Sequence, residues 1–280
     1  MGNTLYVDDG GRVRTVDIPT GAVSTISGRK TVNADGVGMS ARFYLPTGIW
    51  GDGSSLYVTD RYSGTIRQID LRTQEVRTLA GFAGDFGMSD GIGNHARFRE
   101  PQGICSDGTA LYVADYGNGA VRKITMETWE VSTLVSGGDL ARFYSPAGLW
   151  CDATSIYVAD TYGHAIRRID IATRKVTTLL SGLAGPIQIW GDGRFLYFSN
   201  QFGRSIMKFD LATSELTTFV ESVPFTNLGG GNFWGDDRYL YIPFGHSIRR
   251  VDKSTGEMTN IAGSETLFGT EDGSAETARL

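Results

Sequence analysis

The fold is decided by the stretch Leu56-Tyr57-Val58-Thr59-Asp60, because copies of its Leu-Tyr-Val opening return along the whole chain. The other copies begin at Leu5, Leu111, Ile156, Leu196 and Leu240. Successive copies are 51, 55, 45, 40 and 44 residues apart. Self-similarity at such a period indicates a repeat architecture in which each unit is one supersecondary element.

Each copy belongs to a longer unit of four β-rich runs. In the second unit the runs are Gly48-Ile49-Trp50-Gly51-Asp52, the Leu56 stretch, Thr65-Ile66-Arg67-Gln68-Ile69-Asp70 and Glu75-Val76-Arg77-Thr78-Leu79. Turns separate the runs, and no segment shows a sustained 3.6-residue period, so almost no helix is expected. Four strands in roughly 40–55 residues is the size of one propeller blade. The sequence therefore predicts an all-β fold, a six-bladed β-propeller of four-stranded antiparallel blades.

We treat 1–280 as a single propeller domain with strands called A to D in each blade. The blades are placed at approximately 4–28, 47–81, 102–137, 147–182, 187–222 and 231–263, with 264–280 as a loop leading toward ring closure. One blade alone leaves both faces of its sheet apolar, so burial is expected to come from packing blade against blade. The B–C loops and the D–A loops, which join one blade to the next, are expected on the same face.

The first blade is predicted to lack its A strand, because the chain begins at a B strand. In a closed ring the C-terminal residues would supply that strand, but residues 271–280 match only the D–A loop 35–43 that precedes an A strand. On this count there are 23 strands where closure of six blades needs 24. We therefore expect that the sequence is a segment of a longer chain, or that a strand is contributed in trans to blade 1.

The composition disfavours several classes of protein. No run approaches 18 apolar residues, so no direct membrane insertion is expected. With 26 Lys and Arg against 31 Asp and Glu, the formal charge of −5 disfavours a nucleic-acid partner, which would need a basic face. The sequence shows no phosphate-binding loop, nucleophile elbow or dinucleotide fingerprint, and no cofactor is predicted.

The two cysteines lie in the A strands of adjacent blades, one position out of register. Successive residues of a strand point to opposite faces, so Cys105 and Cys151 could face each other across a blade interface. A disulfide needs Cα atoms about 4.4–6.8 Å apart, and neighbouring inner strands are usually more widely spaced. We therefore expect two free, buried thiols.

The repeat resembles that of the NHL family of β-propellers. The resemblance covers essentially the whole chain and rests on Pro46-x-Gly48-Ile49, on Leu56-Tyr57-Val58-Thr59-Asp60 and on Asp160-Thr161-Tyr162-Gly163-His164-Ala165-Ile166-Arg167. The linking Asp-Gly-x-Gly-x-x-Ala-Arg-Phe loop is similar to that of bacterial NHL arrays, many of which are exported. The family includes protein- and RNA-binding modules, sensor ectodomains and a peptide-amidating lyase, so the resemblance implies a fold and leaves the function open.

Three recurring features are interpreted as structural. Acidic residues that open the B–C loops recur with an arginine seven positions later, which indicates charge pairs inside the blades, namely Asp60–Arg67, Asp115–Arg122 and Asp160–Arg167. The tryptophans of the A strands are expected to pack between blades, at Trp50, Trp150, Trp190 and Trp234. The Asp-Gly pairs at 35, 90 and 272 are interpreted as turns rather than calcium sites, because they lack the alternating oxygen ligands of an EF-hand loop.

The candidate binding residues are aromatic side chains of the B–C loops. We predict a ligand-binding surface from Tyr62, Tyr116, Tyr162, Phe202 and Phe244. Loops on a rigid scaffold often carry binding residues, and aromatic side chains dominate the energetics of many interfaces. The alternative is that these rings only cap the blade ends hydrophobically.

All three histidines are expected on the same face, at His95, His164 and His246. Lyase members of the family use histidines around a central metal, so these residues are the candidate metal ligands. However, His164 and His246 are equivalent positions of two different blades, without a carboxylate signature such as His-Glu-x-x-His. No metal site is therefore predicted.

Together these features favour a non-enzymatic binding or scaffold module. We expect its loop face to recognise a protein or glycan, within a larger exported or cell-surface protein. The sequence shows no signal peptide, and a cytoplasmic location stays open. The alternative is a metal-dependent lyase or hydrolase, which would need carboxylates and histidines converging on the central channel.

Overall fold

The structure, a computed structural model, describes residues 2–28, 33–137, 143–221, 223, 233–264 and 269–280. Six antiparallel sheets form the blades of a β-propeller, which confirms the predicted all-β fold and the number of blades. Helical structure in the described ranges is limited to three 3₁₀ turns, at Gly38–Ser40, Gly93–His95 and Tyr116–Asn118. None of these turns is long and apolar enough to cross a membrane.

Blade 1 has three strands, and blades 2 and 3 have five each. Blade 1 contains β1 (Thr4–Asp9), β2 (Arg12–Asp17) and β3 (Val23–Ser27). Blade 2 contains β4 (Gly36–Val37), β5 (Pro46–Gly51), β6 (Ser55–Asp60), β7 (Thr65–Asp70) and β8 (Glu75–Ala80). Blade 3 contains β9 (Gly91–Ile92), β10 (Pro101–Ser106), β11 (Ala110–Asp115), β12 (Ala120–Thr125) and β13 (Glu130–Ser136).

The other three blades have four strands each. Blade 4 contains β14 (Pro146–Cys151), β15 (Ser155–Asp160), β16 (Ala165–Asp170) and β17 (Val176–Leu180). Blade 5 contains β18 (Pro186–Gly191), β19 (Phe195–Asn200), β20 (Ser205–Asp210) and β21 (Leu216–Val220). Blade 6 contains β22 (Trp234–Gly235), β23 (Tyr239–Phe244), β24 (Ser247–Asp252) and β25 (Met258–Gly263).

The hydrophobic core is divided among the six interfaces between blades. Each interface holds one cluster of buried side chains drawn from the two adjoining sheets. Between blades 2 and 3, for example, Ile66 of β7 packs with Val113 of β11. This arrangement follows from the sequence, because the B and C strands are apolar on both faces and can bury them only against neighbouring blades.

The A strands line the centre of the ring and approach one another closely. A Cβ atom added to Gly148 of β14 would lie 2.3 Å from the carbonyl oxygen of Ile187 in β18. The equivalent Gly48 and Gly103 meet the next A strand at 2.2 and 2.4 Å. Real Cβ atoms do not come this close to backbone atoms, so the Pro-x-Gly motif has its glycine where neighbouring backbones would clash with any side chain.

The A-strand tryptophans Trp50, Trp150 and Trp190 pack between blades, as predicted, whereas Trp234 is 38% exposed. The Trp150 ring lies 2.8 Å from the Cβ position of Gly191 in the next A strand, and the Trp190 ring lies 2.7 Å from that of Gly235. Each indole therefore uses the glycine of the following blade as its packing surface. Each ring also faces a tyrosine of its own B strand, as Trp150 does with Tyr157 at 5.2 Å between centroids.

The prediction of two free thiols is wrong, because Cys105 and Cys151 form a disulfide with their Cα atoms 5.8 Å apart. Cys105 takes the place of the A-strand tryptophan in blade 3, and Cys151 takes the place of the glycine in blade 4. The pair thus substitutes for the tryptophan–glycine contact seen at other interfaces. Neighbouring A strands are closer than expected, because their glycines bring the backbones unusually close.

Blade 1 is incomplete at its inner edge, as predicted. Within the described ranges its sheet has the order β1-β2-β3, and no strand pairs with the inner side of β1. The segment 269–280 docks on the outer side of this blade through a bridge between Gly273 and Val23. The same position in blades 2 and 3 holds the short strands β4 and β9, which pair with D strands. These two outer strands are absent from the sequence-based count of 23.

Candidate functional site

Carboxylates at the ends of the B strands hold the loop face together. The buried Asp60 accepts hydrogen bonds from the backbone N–H groups of Tyr44 and Leu45 in the D–A loop, at 3.0 and 2.8 Å. It also accepts one from Ser63 Oγ in the B–C loop, at 2.8 Å. Asp160 of blade 4 accepts two backbone N–H groups in the same way, both at 2.9 Å. The carboxylate therefore joins the two loops of a blade into one platform.

A buried arginine on the C strand connects this platform to the Asp-Gly loop. The guanidinium of Arg122 contacts Asp115 at 2.9 Å and Asp90 at 2.6 Å. Equivalent ion pairs to the Asp-Gly loops of the first two blades are Arg14–Asp272 and Arg67–Asp35. Although partial burial acts in the opposite direction, hydrogen bonds from Thr133 and Arg122 lower the pKa of Asp90. The charge pairs and the Asp-Gly loops are thus structural.

The phenylalanines that end the D–A loops lie beneath the arginines. Phe43, Phe98 and Phe143 are buried, and the guanidinium carbon of the C-strand arginine lies 4.9, 5.2 and 5.8 Å from their ring centroids. Cation–π attraction is strengthened in such a desolvated place. These rings cap the blade ends hydrophobically and are unavailable to a ligand.

A second set of aromatic rings lies above this layer, across blades 2 to 4, where Tyr44, Tyr62 and Tyr162 are exposed and Tyr116 is half-buried. Tyr44 and Tyr62 meet edge to face with centroids 5.5 Å apart. The guanidinium carbon of Arg61 lies 5.4 Å from the Tyr62 centroid and 5.3 Å from that of Tyr116. Burial chiefly, and interaction with Tyr162 to a smaller extent, raise the pKa of Tyr116. We call Tyr44, Arg61, Tyr62, Tyr116 and Tyr162 the aromatic patch.

Tyr44 and Arg61 are absent from the predicted binding residues, and Arg61 is the charged member of the patch. Its Nε donates to Glu100 at 3.0 Å, which fixes the guanidinium between two tyrosine rings. Glu100 has φ of 51°, in the left-handed region that is costly for a residue other than glycine. The available signal was a departure from the repeat, because blade 2 has arginine where the matching loop of blade 4 has Thr161.

The remaining two predicted binding residues lie outside the patch. Phe202 is 62% exposed, and its ring lies against the Gly185 position of the D–A loop in blade 5. Phe244 is only 8% exposed and packs in the core between blades 5 and 6. In the strand register Phe244 lies opposite Ser247, just as Asp160 lies opposite Ala165 in blade 4. Phe244 therefore occupies the position of the buried carboxylate at the end of the B strand, and not an exposed position in the loop. We therefore leave Phe244 out of the binding surface.

The histidines are placed at three separate loops. His95 is exposed in the 3₁₀ turn of the loop leading into blade 3, where its Nδ1 lies 3.2 Å from the carbonyl oxygen of Ile92. His164 and His246 are exposed and directly precede the C strands of blades 4 and 6. Among the described residues, no group of three or more His, Cys, Asp or Glu side chains is arranged to hold a metal ion.

The fold and the repeat define the class of this chain as a six-bladed β-propeller. No protein-family model matches it. Over 142 residues, 46% of the chain, it is 36% identical to NHL repeat-containing protein 2 of Bos taurus, and over 144 residues it is 35% identical to the Homo sapiens protein of that name. The chain covers 20% of the length of each of these relatives. The predicted NHL resemblance is confirmed.

Solved structures share the architecture at low sequence identity. A Bacteroides thetaiotaomicron protein of unknown function has a TM-score of 0.67 at 20% identity, covering 98% of this chain and 76% of that one. A chain of a nidogen/laminin complex gives 0.60 at 21%, covering 78% and 76%, and a streptogramin B lyase gives 0.59 at 12%, covering 92% and 78%. At these identities the likeness shows the fold alone.

Proposed function

We propose that this chain is a non-enzymatic binding module that recognises a protein or glycan partner through the aromatic patch and the neighbouring Phe202. The observation that carries the proposal is the set of exposed rings on blades 2 and 4, between which lies the half-buried Tyr116 of blade 3. Tyr62 and Tyr162 are 45% and 58% exposed. Buried phenylalanines beneath them already cap the blade ends, so these exposed rings are not needed for that purpose. Large exposed rings fixed on a rigid platform lose little entropy when they are covered by a partner.

The charge of the patch narrows the chemistry of the partner. The guanidinium of Arg61 lies between Tyr62 and Tyr116, and Glu100 is its counter-ion. Stacked rings beside a guanidinium suit an aromatic or acidic side chain of a protein, and flat exposed rings also suit the apolar face of a sugar. The formal charge of −5 disfavours nucleic acid as the partner.

We further propose that the module works in a larger exported or cell-surface protein. The disulfide between blades 3 and 4 supports an oxidising compartment, because such bonds persist outside the cytosol and are rare within it. The matched relatives are more than twice as long as this chain, which supports a setting among further domains.

Replacing Tyr62, Tyr162 and Phe202 together with alanine should reduce partner affinity at least tenfold and leave the fold intact. The side chains are exposed, so each change is expected to alter the free energy of unfolding by no more than about 0.5 kcal/mol. The labelled chain would be screened on arrays of purified extracellular proteins and of glycans. The affinity of each binder would then be measured by calorimetry.

The matched control is a triple alanine variant of Val37, Ile92 and Leu216, which are exposed apolar residues on outer strands. This control should bind like the unchanged chain. Full binding by the aromatic triple variant, or equal losses in the two triple variants, would contradict the proposed surface.

A further inference from the structure

Three blades carry an Asp-Gly loop on the outer edge of their D strand. In blade 2, Asp35 accepts hydrogen bonds from the backbone N–H and the hydroxyl of Thr78, at 3.1 and 3.0 Å, and one from Nη2 of Arg67, at 2.7 Å. The residue after the aspartate pairs with the D strand, as Gly36 does with Val76. Threonine and arginine donors also hold Asp272 in blade 1 and Asp90 in blade 3. A D-strand threonine and a C-strand arginine therefore form one carboxylate site.

Blade 4 has the two donors of this site without the Asp-Gly loop. Thr178 of β17 lies opposite Arg167 of β16, in the register that the threonine and arginine of blade 2 also have. In the loops that lead into blades 2 and 3, the aspartate precedes the buried phenylalanine by eight residues. The residue eight positions before Phe143 is Val135, which belongs to β13 of the preceding blade. The loop 137–145 therefore has no counterpart of the aspartate, and within the described residues β17 is an edge strand.

The arginine of blade 4 reaches the surface, unlike its equivalents. The side chains of Arg67 and Arg122 are fully buried, whereas that of Arg167 is 14% exposed. Its Nε donates to Asp160 at 3.0 Å, and its Nη1 donates to the hydroxyl of Thr178 at 3.4 Å. No acceptor for its Nη2 is found in the part of the chain that the structure describes. A largely desolvated guanidinium with an unused N–H group is a strong binding partner for a carboxylate.

Blade 5 has a similar open edge without the charge. Its sheet ends in β21, and the loop 181–185 that leads into this blade has only five residues. At the positions of Arg167 and Asp160, blade 5 has Met207 and Asn200. Because a thioether cannot form an ion pair with a carboxylate, only blade 4 of these two has the carboxylate site. Blade 5 is therefore an internal control for pairing with an open edge.

The start of the D strand makes the edge of blade 4 more basic than those of blades 2 and 3. The short strands β4 and β9 end opposite a glutamate, Glu75 in blade 2 and Glu130 in blade 3. The equivalent residue of blade 4 is Lys175, which is exposed and follows the exposed Arg174. Opposite charges that face each other on neighbouring strands attract. A segment paired with β17 is therefore favoured by an acidic residue two positions after its aspartate.

We propose that the outer edge of β17, together with Arg167 and Lys175, binds an extended acidic segment of a partner protein, and we call this surface the blade 4 edge. The segment would run antiparallel to β17, with an aspartate held by Thr178 and Arg167 and a second acidic residue beside Lys175. Backbone pairing with a sheet edge supplies affinity, and the two carboxylates select the segment. This surface lies on the outer rim of the ring and is separate from the aromatic patch.

The test uses the capped peptide Ala-Asp-Gly-Glu-Gly, which has the sequence of residues 34–38 with glutamate in place of Val37. It is titrated into the isotope-labelled full chain, and the amide signals are followed by NMR. We expect saturable shifts of the amides of β17 and none of those of β21. The same peptide with Asp35→Asn should bind at least about tenfold more weakly, because it loses charge-assisted hydrogen bonds.

Variants of the protein locate the two carboxylates. Lys175→Glu should weaken the peptide about fivefold, and Thr178→Val should also weaken it, and both changes are at exposed positions. The double variant Asp160→Asn with Arg167→Met gives blade 4 the pair found in blade 5, so no buried charge is left without a partner. This variant should bind the aspartate and asparagine peptides equally. The alanine triple variant of the aromatic patch and Phe202 should bind the peptide normally, so failure of this site and failure of the proposed function are distinguishable.

Three results would overturn the proposal. The first is the absence of shifts in β17 at high peptide concentration. The second is equal binding of the aspartate and asparagine peptides to the unchanged chain, or equal shifts in β17 and β21, which would indicate unspecific pairing with any open edge. The third concerns Asp139, which lies outside the described residues. If Asp139→Ala strengthens peptide binding tenfold or more, an aspartate of the chain itself is the occupant of the site.

Discussion

Replacing Arg122 with alanine is expected to lower the free energy of unfolding by about 3–5 kcal/mol, because breaking a buried ion pair leaves an uncompensated charge. Arg122 and Asp115 are both fully buried, 2.9 Å apart. The same guanidinium donates to the carbonyl oxygens of Arg97 and Ser89, at 2.9 and 3.1 Å. Chemical denaturation of the purified variant measures the loss.

Two further variants separate charge from volume. Arg122→Met keeps most of the side-chain volume, so a large loss in this variant comes from the isolated carboxylate. Adding Asp115→Asn to it removes that charge and should restore part of the stability. The control is Arg72→Ala, an exposed arginine in a C–D turn, which should cost no more than about 0.5 kcal/mol. A loss below about 1 kcal/mol in Arg122→Ala would contradict this role.

Changing Gly148 to alanine is expected to cost about 3 kcal/mol or more, the upper part of the range for overpacking. The added Cβ would lie 2.3 Å from the carbonyl oxygen of Ile187 and 3.1 Å from the nitrogen of Ile189. Both are backbone atoms of a sheet, so a rotamer change cannot relieve the contact. Thermal unfolding followed by circular dichroism would report the loss.

Gly245→Asn is the matched control for this change. Gly245 has φ of 61° with no atom within 4 Å of its Cβ position, and asparagine tolerates this backbone conformation. The control should therefore lose little stability. If Gly148→Ala is no less stable than the control, the A strands are farther apart than the structure shows.

The sequence could predict the blades because their signal is local and repeated. Short β-rich runs and the turns between them identify each strand, and the seven-residue spacing of Asp115 and Arg122 anticipates a contact across one hairpin. The tryptophans of the A strands were also predicted as interblade residues, because equivalent positions in a repeat share an environment. The missing A strand followed from the same count.

The loop face could not be predicted in the same way. The alternation of side chains between the two faces of a strand ends where the D–A loop begins. The sequence therefore does not indicate that Phe43 is buried while the adjacent Tyr44 is exposed. Phe244 was misplaced because blade 6 has a B–C loop of two residues, where blade 4 has four. The disulfide depends on an interstrand distance that only the packed ring defines.

Amide hydrogen exchange tests most directly the claim that the ring leaves the inner edge of blade 1 open. Alternate amides of an edge strand point away from its partner, so about half of those in β1 should exchange faster than the amides of β6 and β11. Amides of β1 that are all as well protected as those of β6 would contradict the account.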